Sequence, residues 1–149
     1  MNSSLNSVYI IANFNTSKEN FFPRNKPDHF WLMLGKRLQL TGSGWKVCLC
    51  EIQFENVRVD VGQAVPTHYQ VDFAMCDGLY INGTGSNALR MIPYKHTTHQ
   101  IFSRPFYMPI HTDFMDTCEI EIKLVGKTDI ITRKNTEGII TCTLHFKRN

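Results

Sequence analysis

The sequence predicts an all-β sandwich, and three observations carry that prediction. Cys118, Ile120, Ile122 and Leu124 alternate with Glu119, Glu121 and Lys123, and Ile140, Cys142, Leu144 and Phe146 alternate with Thr141, Thr143, His145 and Lys147. A period of two sends successive side chains to opposite faces of a pleated strand, so each segment has one oily face and one wet one. No window sustains the 3.6-residue apolar period of a helix. Clusters of Gly, Pro, Asn and Asp separate the apolar runs at the spacing of an antiparallel all-β domain.

In chain order, a polar tail over residues 1–7 leads to a first strand, where Val8, Ile10, Ala12 and Phe14 alternate with Tyr9, Ile11 and Asn13. Residues 15–20 have turn chemistry, and Pro23 and Pro27 keep the next stretch extended or turning. Residues 29–34 form a second strand, apolar on both faces, with Gly35 marking a bend or bulge before Leu38 and Leu40. After a Thr41-Gly42-Ser43-Gly44 turn comes a long third strand. Trp45, Val47 and Leu49 lie on one face of it, and Cys48, Cys50, Ile52 and Phe54 on the other. Two apolar faces predict a strand covered on both sides, at the centre of a sheet or at a subunit contact.

Residues 57–66 read as a loop. Tyr69, Val71, Phe73 and Met75 define the fourth strand, and residues 76–87 a glycine-rich crossing in which Asn82-Gly83 is a hairpin signal. A fifth strand covers residues 88–94. A sixth covers residues 101–109 and is interrupted by Pro105 and Pro109, which places it at an edge or bends it. The two alternating segments described first are the seventh and eighth strands, joined by a polar loop over residues 127–138. Eight antiparallel strands with unequal connections predict a single jelly roll, two four-stranded sheets packed face to face, in preference to an up-and-down barrel.

The 149 residues form one domain, residues 1–149, by length. Such a domain buries about two-thirds of its unfolded surface. With 42% hydrophobic and 19% charged residues the composition is that of a globular protein. The net charge of +3 is too mild for a dedicated nucleic-acid binder, and the basic residues are scattered. Residues 1–7 lack the basic region and apolar run of a secretory signal, and no apolar run approaches the roughly 20 residues of a membrane helix. The protein is therefore expected not to be secreted and not to be a membrane protein. Five cysteines, four of them within strand patterns, read as small buried hydrophobes of a reducing compartment. The sequons at Asn2, Asn15 and Asn82 read as chance.

Several residues are of types that can carry chemistry. His96 and His99 are spaced as loop histidines, without the fixed geometry of a helical ligand pair and without a nearby cysteine or carboxylate to complete a zinc set. Cys48 and Cys50 point the same way on one strand and read as core. Cys76, at a strand end, reads as the most exposed thiol. Asp113 and Asp116 read as turn residues rather than a calcium or acid–base pair. Trp31 and Trp45 would serve as a sugar-stacking platform in a carbohydrate-binding sandwich, but lie in apolar patterns that fit a core or subunit interface better. There is no Walker loop, G-x-S-x-G or H-E-x-x-H. No residue is assigned as catalytic, cofactor-binding or metal-binding. The apolar surplus on the second and third strands points to a buried partner surface.

Five pieces of the chain occur in an order that spans most of its length. They are Phe22-Pro23-Arg24-Asn25; Leu38-Gln39-Leu40 leading to Trp45-Lys46-Val47-Cys48-Leu49-Cys50-Glu51-Ile52; Phe106-Tyr107-Met108-Pro109-Ile110; Thr117-Cys118-Glu119-Ile120-Glu121-Ile122; and Cys142-Thr143-Leu144-His145-Phe146-Lys147-Arg148. In this layout the chain resembles the penton, or minor capsid, protein of Polinton/Maverick elements and adintoviruses. The resemblance implies a single jelly roll that forms a homopentamer at the five-fold vertices of an icosahedral virion. It implies no enzyme activity and no cofactor. It implies the major capsid protein as a partner, and assembly in the host cytoplasm or nucleus. It leaves open a weak contact of Lys147-Arg148 or the N-terminal tail with packaged nucleic acid. The chain lacks the long insertion of larger pentons, so residues 78–86 are only a candidate tip loop and a receptor or fibre role is in doubt. The alternative functions are a carbohydrate- or ligand-binding β-sandwich and, less well supported, an enzyme on a cupin-like barrel.

Overall fold

A computed structural model describes residues 6–16, 22–40, 42, 44–94, 98–132 and 135–148. Among these residues the chain is all-β and antiparallel. Its strands are β1 (Ser7–Ala12), β2 (His29–Gln39), β3 (Trp45–Asp60), β4 (His68–Phe73), β5 (Tyr80–Ile81), β6 (Thr84–Gly85), β7 (Ala88–Pro93), β8 (His99–Ile101), β9 (Met108–Pro109), β10 (Phe114–Val125), β11 (Ile130–Ile131) and β12 (Asn135–Arg148). The expected count was eight, and twelve are described. The added segments are the small β5–β6 hairpin, the two-residue β11 inside the polar loop, and the division of the proline-interrupted sixth strand into β8 and β9.

The first sheet runs β1-β12-β3, with β8 and β9 both on the far edge of β3. The second runs β10-β4-β7, with β2 and β11 along the other edge of β10. The two sheets form a sandwich-like pair, because alternate residues of each bury into one shared core. Phe30, Ile120, Ile122, Val71, Phe73 and Leu89 come from the second sheet, and Val47, Ile52, Ile140, Leu144 and Phe146 from the first. Phe73 and Phe146 meet edge to face across the layers, with ring centroids 5.8 Å apart. Full burial of such a side chain stabilises by about 2–3 kcal/mol. Residues 117–124 and 139–147 are buried and half-buried in strict alternation, as their sequence pattern requires.

The third strand corrects the sequence reading twice. It extends to Asp60, so residues 57–60 are strand rather than loop. Its two apolar faces arise from a bulge. Leu144 pairs with Leu49 and Thr143 with Glu51, leaving Cys50 as the extra residue. Odd residues face the core before Cys50 and even ones after it, so most of the apolar surplus on β3 lies inside the sandwich, and β3 runs between β12 and β8, inside its sheet, as one of the two expected placements has it. Gly35 does sit in an irregularity: Leu38 pairs with Met115 and Met33 with Thr117, and residues 34–37 bow out between them. Arg37 closes that bow with two bonds to the Asp116 carboxylate, at 2.9 and 3.2 Å.

Two turns depend on glycine. Asn82 and Gly83 both have positive φ, 52° and 79°, between β5 and β6, which is the type I′ hairpin geometry expected of Asn-Gly. Gly138, at φ 95°, lies at a second β3–β12 irregularity, where a Cβ would come within 2.5 Å of the Asn56 carbonyl.

Candidate functional site

The shared core consumes the inward face of each sheet, so the chemistry available to partners lies on the two outward faces. On the first sheet, register places Tyr9 beside His145 and His145 beside Cys48. His145 is held on both sides. Its Nε2 lies 2.6 Å from Ser7 Oγ and its Nδ1 lies 2.8 Å from Tyr107 Oη. The Tyr9 ring stacks on the imidazole at 4.2 Å with a 7° interplanar angle. Neutral imidazole has one donor and one acceptor nitrogen, so one hydroxyl donates to the ring and the other accepts from it. Burial, and then Lys147, hold His145 below the usual histidine range. Ser7 and His145 are the residue types of a nucleophile and its base, but the second ring nitrogen meets a phenol, not a carboxylate, on an outward sheet face.

Cys48 lies beneath this cluster. It is fully buried, yet stands outside the sandwich core, capped by the segment that joins β8 to β9. Burial pushes its thiol up, opposed in part by the Tyr107 hydroxyl. The Tyr107 hydroxyl is itself pushed up to about 12, chiefly by burial. Arg90 secures the capping segment. Its guanidinium lies 4.0 Å from the Phe102 ring centroid and 4.1 Å from that of Phe106, and it donates to the Arg104 carbonyl at 2.8 Å.

The margins of this face are apolar and wet. Tyr9 is 63% exposed, Ile11 66% and Ile101 68%. Ile11, Thr143, Glu51 and Ile101 form one row across the sheet. Glu51 accepts a hydrogen bond from His99 Nε2 at 2.7 Å. Lys46 and Lys147 stand directly opposite each other one row from Tyr9, and the Lys147 ammonium lies 4.1 Å from the Tyr107 ring centroid.

The outward face of the second sheet is charged. Glu119 Oε2 lies 2.6 Å from His29 Nε2, and Glu121 is 3.8 Å from the same ring. Lys123 pairs with Asp72 at 2.8 Å and Glu121 at 3.9 Å. Gln70, buried, donates to Asp72 at 2.9 Å. Gln70, Asp72, Glu119, Glu121 and Lys123 floor a trench of about 540 Å³ walled by the β5–β6 hairpin and residues 126–130. At the free edge of this sheet the buried Asn25 amide donates to the Trp31 carbonyl at 2.8 Å and accepts from the Trp31 N–H at 2.9 Å, pairing the edge as a strand would.

The residues singled out from sequence scatter over this frame. Trp45 is core in the first sheet, and Trp31 lies on the outward side of the second, tilted against His29 with ring centroids 4.4 Å apart, so the two make no common platform. Cys76 is 1% exposed, which corrects its reading as the exposed thiol. It ends against the Phe73 and Asn87 carbonyls, and burial pushes it up to about 12. His99 bonds Glu51, and His96 lies outside the described residues. Asp116 serves Arg37, and the Asp113 carbonyl accepts from Leu40 N–H. Among the described residues no three His, Cys, Asp or Glu side chains gather to hold a metal ion. Sequence reasoning missed Ser7, Tyr107, His145, Arg90 and Asn25. Only the outward phase of Tyr9 and His145 in their strands was visible beforehand.

No protein-family model, curated protein or solved structure matches this chain.

Proposed function

We propose that this chain is a structural capsid protein, a penton-like single jelly roll that works by assembling in fives at the vertices of an icosahedral virion. The strand order supports the jelly-roll reading. With β5, β6 and β11 set aside and β8 and β9 taken as one, eight strands remain, paired first with eighth, second with seventh, third with sixth and fourth with fifth. Those pairings are a single long hairpin. Rolling it brings the eighth strand onto the third and the seventh onto the fourth, as in β12–β3 and β10–β4.

The observation that carries the assembly reading is the first sheet's outward face. Tyr9 and Ile11 alternate in β1 with the buried Ile10 and Ala12, and Ile101 precedes the buried Phe102, yet each of the three is more than 60% exposed. Large apolar side chains left in water along both margins of a flat sheet mark a contact surface. The absence of a shared Trp31–Trp45 platform weighs against the carbohydrate-binding alternative.

Native mass spectrometry of the purified chain, alone and with the major capsid protein of the same virion, tests the proposal. The expected species has five times the 17.2 kDa chain mass. A chain that stays monomeric under both conditions overturns it.

A further inference from the structure

We infer that the two outward faces are partners between copies: Lys46 and Lys147 on the first sheet of one chain meet Glu119 and Glu121 on the second sheet of the next. This rests on the self-assembly reading above and assigns the surfaces that reading leaves open.

Lys46 and Lys147 are direct cross-strand neighbours. Like charges so placed destabilise a sheet. Among the described residues neither lysine makes an ion pair. The second sheet carries the opposite imbalance. Among the described residues Glu119, Glu121 and Asp72 pair with Lys123 and His29 on that face, three carboxylates to one ammonium and one imidazole. Its trench offers depth for lysine stems to lie along the walls.

The signs also decide the geometry. A two-fold contact with its axis at Lys46 and Lys147 would set them against their own copies, and one with its axis at Glu119 and Glu121 would set those against theirs. Both are repelled. The contact that matches charge runs front to back. It is heterologous, and a heterologous contact closes into a ring when its rotation divides the circle. Tyr9, one row from the lysines, adds apolar area to the same contact.

The test uses three folded variants of the full chain: Lys46→Glu with Lys147→Glu, Glu119→Lys with Glu121→Lys, and the chain carrying all four. Circular dichroism checks folding, and native mass spectrometry at high protein concentration, with and without the capsid protein, counts subunits. Either pair alone should reduce the multimer at least tenfold. The fourfold variant should restore it, because its charges are reversed on both sides of every junction. Zero-length carbodiimide coupling of mixed light and heavy native chains supplies a readout without mutation, since it joins amine to carboxylate with loss of water. Links from the lysine peptides to the Glu119–Glu121 peptide should appear between isotopes. A five-subunit species unaffected by both pairs, a folded fourfold variant that stays dissociated, or links confined to one isotope overturns this assignment and leaves the five-fold reading standing. A charge-dependent multimer of another size overturns the five-fold reading and keeps the assignment.

Discussion

Glu119, Glu121, Lys123, Asp72 and His29 hold one another in place on the outward face of the second sheet, while Tyr9, Ile11 and Ile101 stand in water on the first. The edges differ in the same sense. β2 has its backbone at Trp31 paired by the Asn25 amide, whereas β1 is paired on one side only among the described residues and carries no charge, proline or bulge. Natural sheets blunt such edges to avoid indiscriminate pairing. The second sheet pairs its edge and part of its charge within the chain, and the first leaves apolar side chains and a backbone edge in water. That asymmetry supports the proposed assembly role of an otherwise plain sandwich.

The largest effect expected from breaking the contrast is at Asn25. Asn25→Ala removes both bonds to Trp31 and leaves partly buried backbone groups unpaired. Each such group costs about 1–3 kcal/mol, so chemical denaturation should register a loss of about 2–3 kcal/mol. The variant should also aggregate more readily, because the second sheet would then present an open edge like that of the first. A loss below about 0.5 kcal/mol would mean the clamp is incidental.

For the first sheet the corresponding fastener is Arg90, which reaches from β7 of the second sheet to the segment capping Cys48. Arg90→Ala gives up a hydrogen bond and two cation–π contacts, worth about 0.5–1 kcal/mol each near a surface. The expected cost is about 1–2 kcal/mol. The more telling readout is Cys48. Loosening its cap should raise its rate of labelling by a thiol reagent well above that of Cys142, which lies in the core itself.

The layered architecture was legible because it rests on period two. Residues 117–124 and 139–147 alternate in sequence and alternate in burial for the same reason. Asn82-Gly83 was legible because few dipeptides take positive φ twice in succession. The bulge at Cys50 was not. A bulge is a fault in pairing with another strand, and along one strand it appears only as apolar residues on both faces, the same signature as a subunit contact. His145 failed to stand out for a related reason. Its partners Ser7 and Tyr107 are 138 and 38 residues away in sequence, and only the sheet register brings them together.

That cluster gives the first sheet a pH response. Burial and Lys147 lower the His145 pKa in the folded protein. The unfolded chain therefore binds the proton more readily, and stability rises with pH across this window. The contribution is complete above the unfolded value near 6.5 and is lost as pH falls through the depressed folded value. Melting temperatures at pH 7.5 and pH 5.5 should fall less for His145→Gln than for the native chain. Equal falls would show that the ring is free of its surroundings.

The smallest effect on folding, and the sharpest on the comparison, is expected at the apolar margin. Ile11 and Ile101 are about two-thirds exposed, so Ile11→Ser with Ile101→Ser removes little buried area. The monomer should keep its stability to within about 0.5 kcal/mol, as surface substitutions usually do. Association should weaken markedly, since burying exposed apolar surface is what drives contact between copies. Sedimentation at matched concentrations separates the two quantities. If the serine variant assembles as the native chain does, the exposed isoleucines are ordinary surface, and the contrast between the two faces reduces to charge.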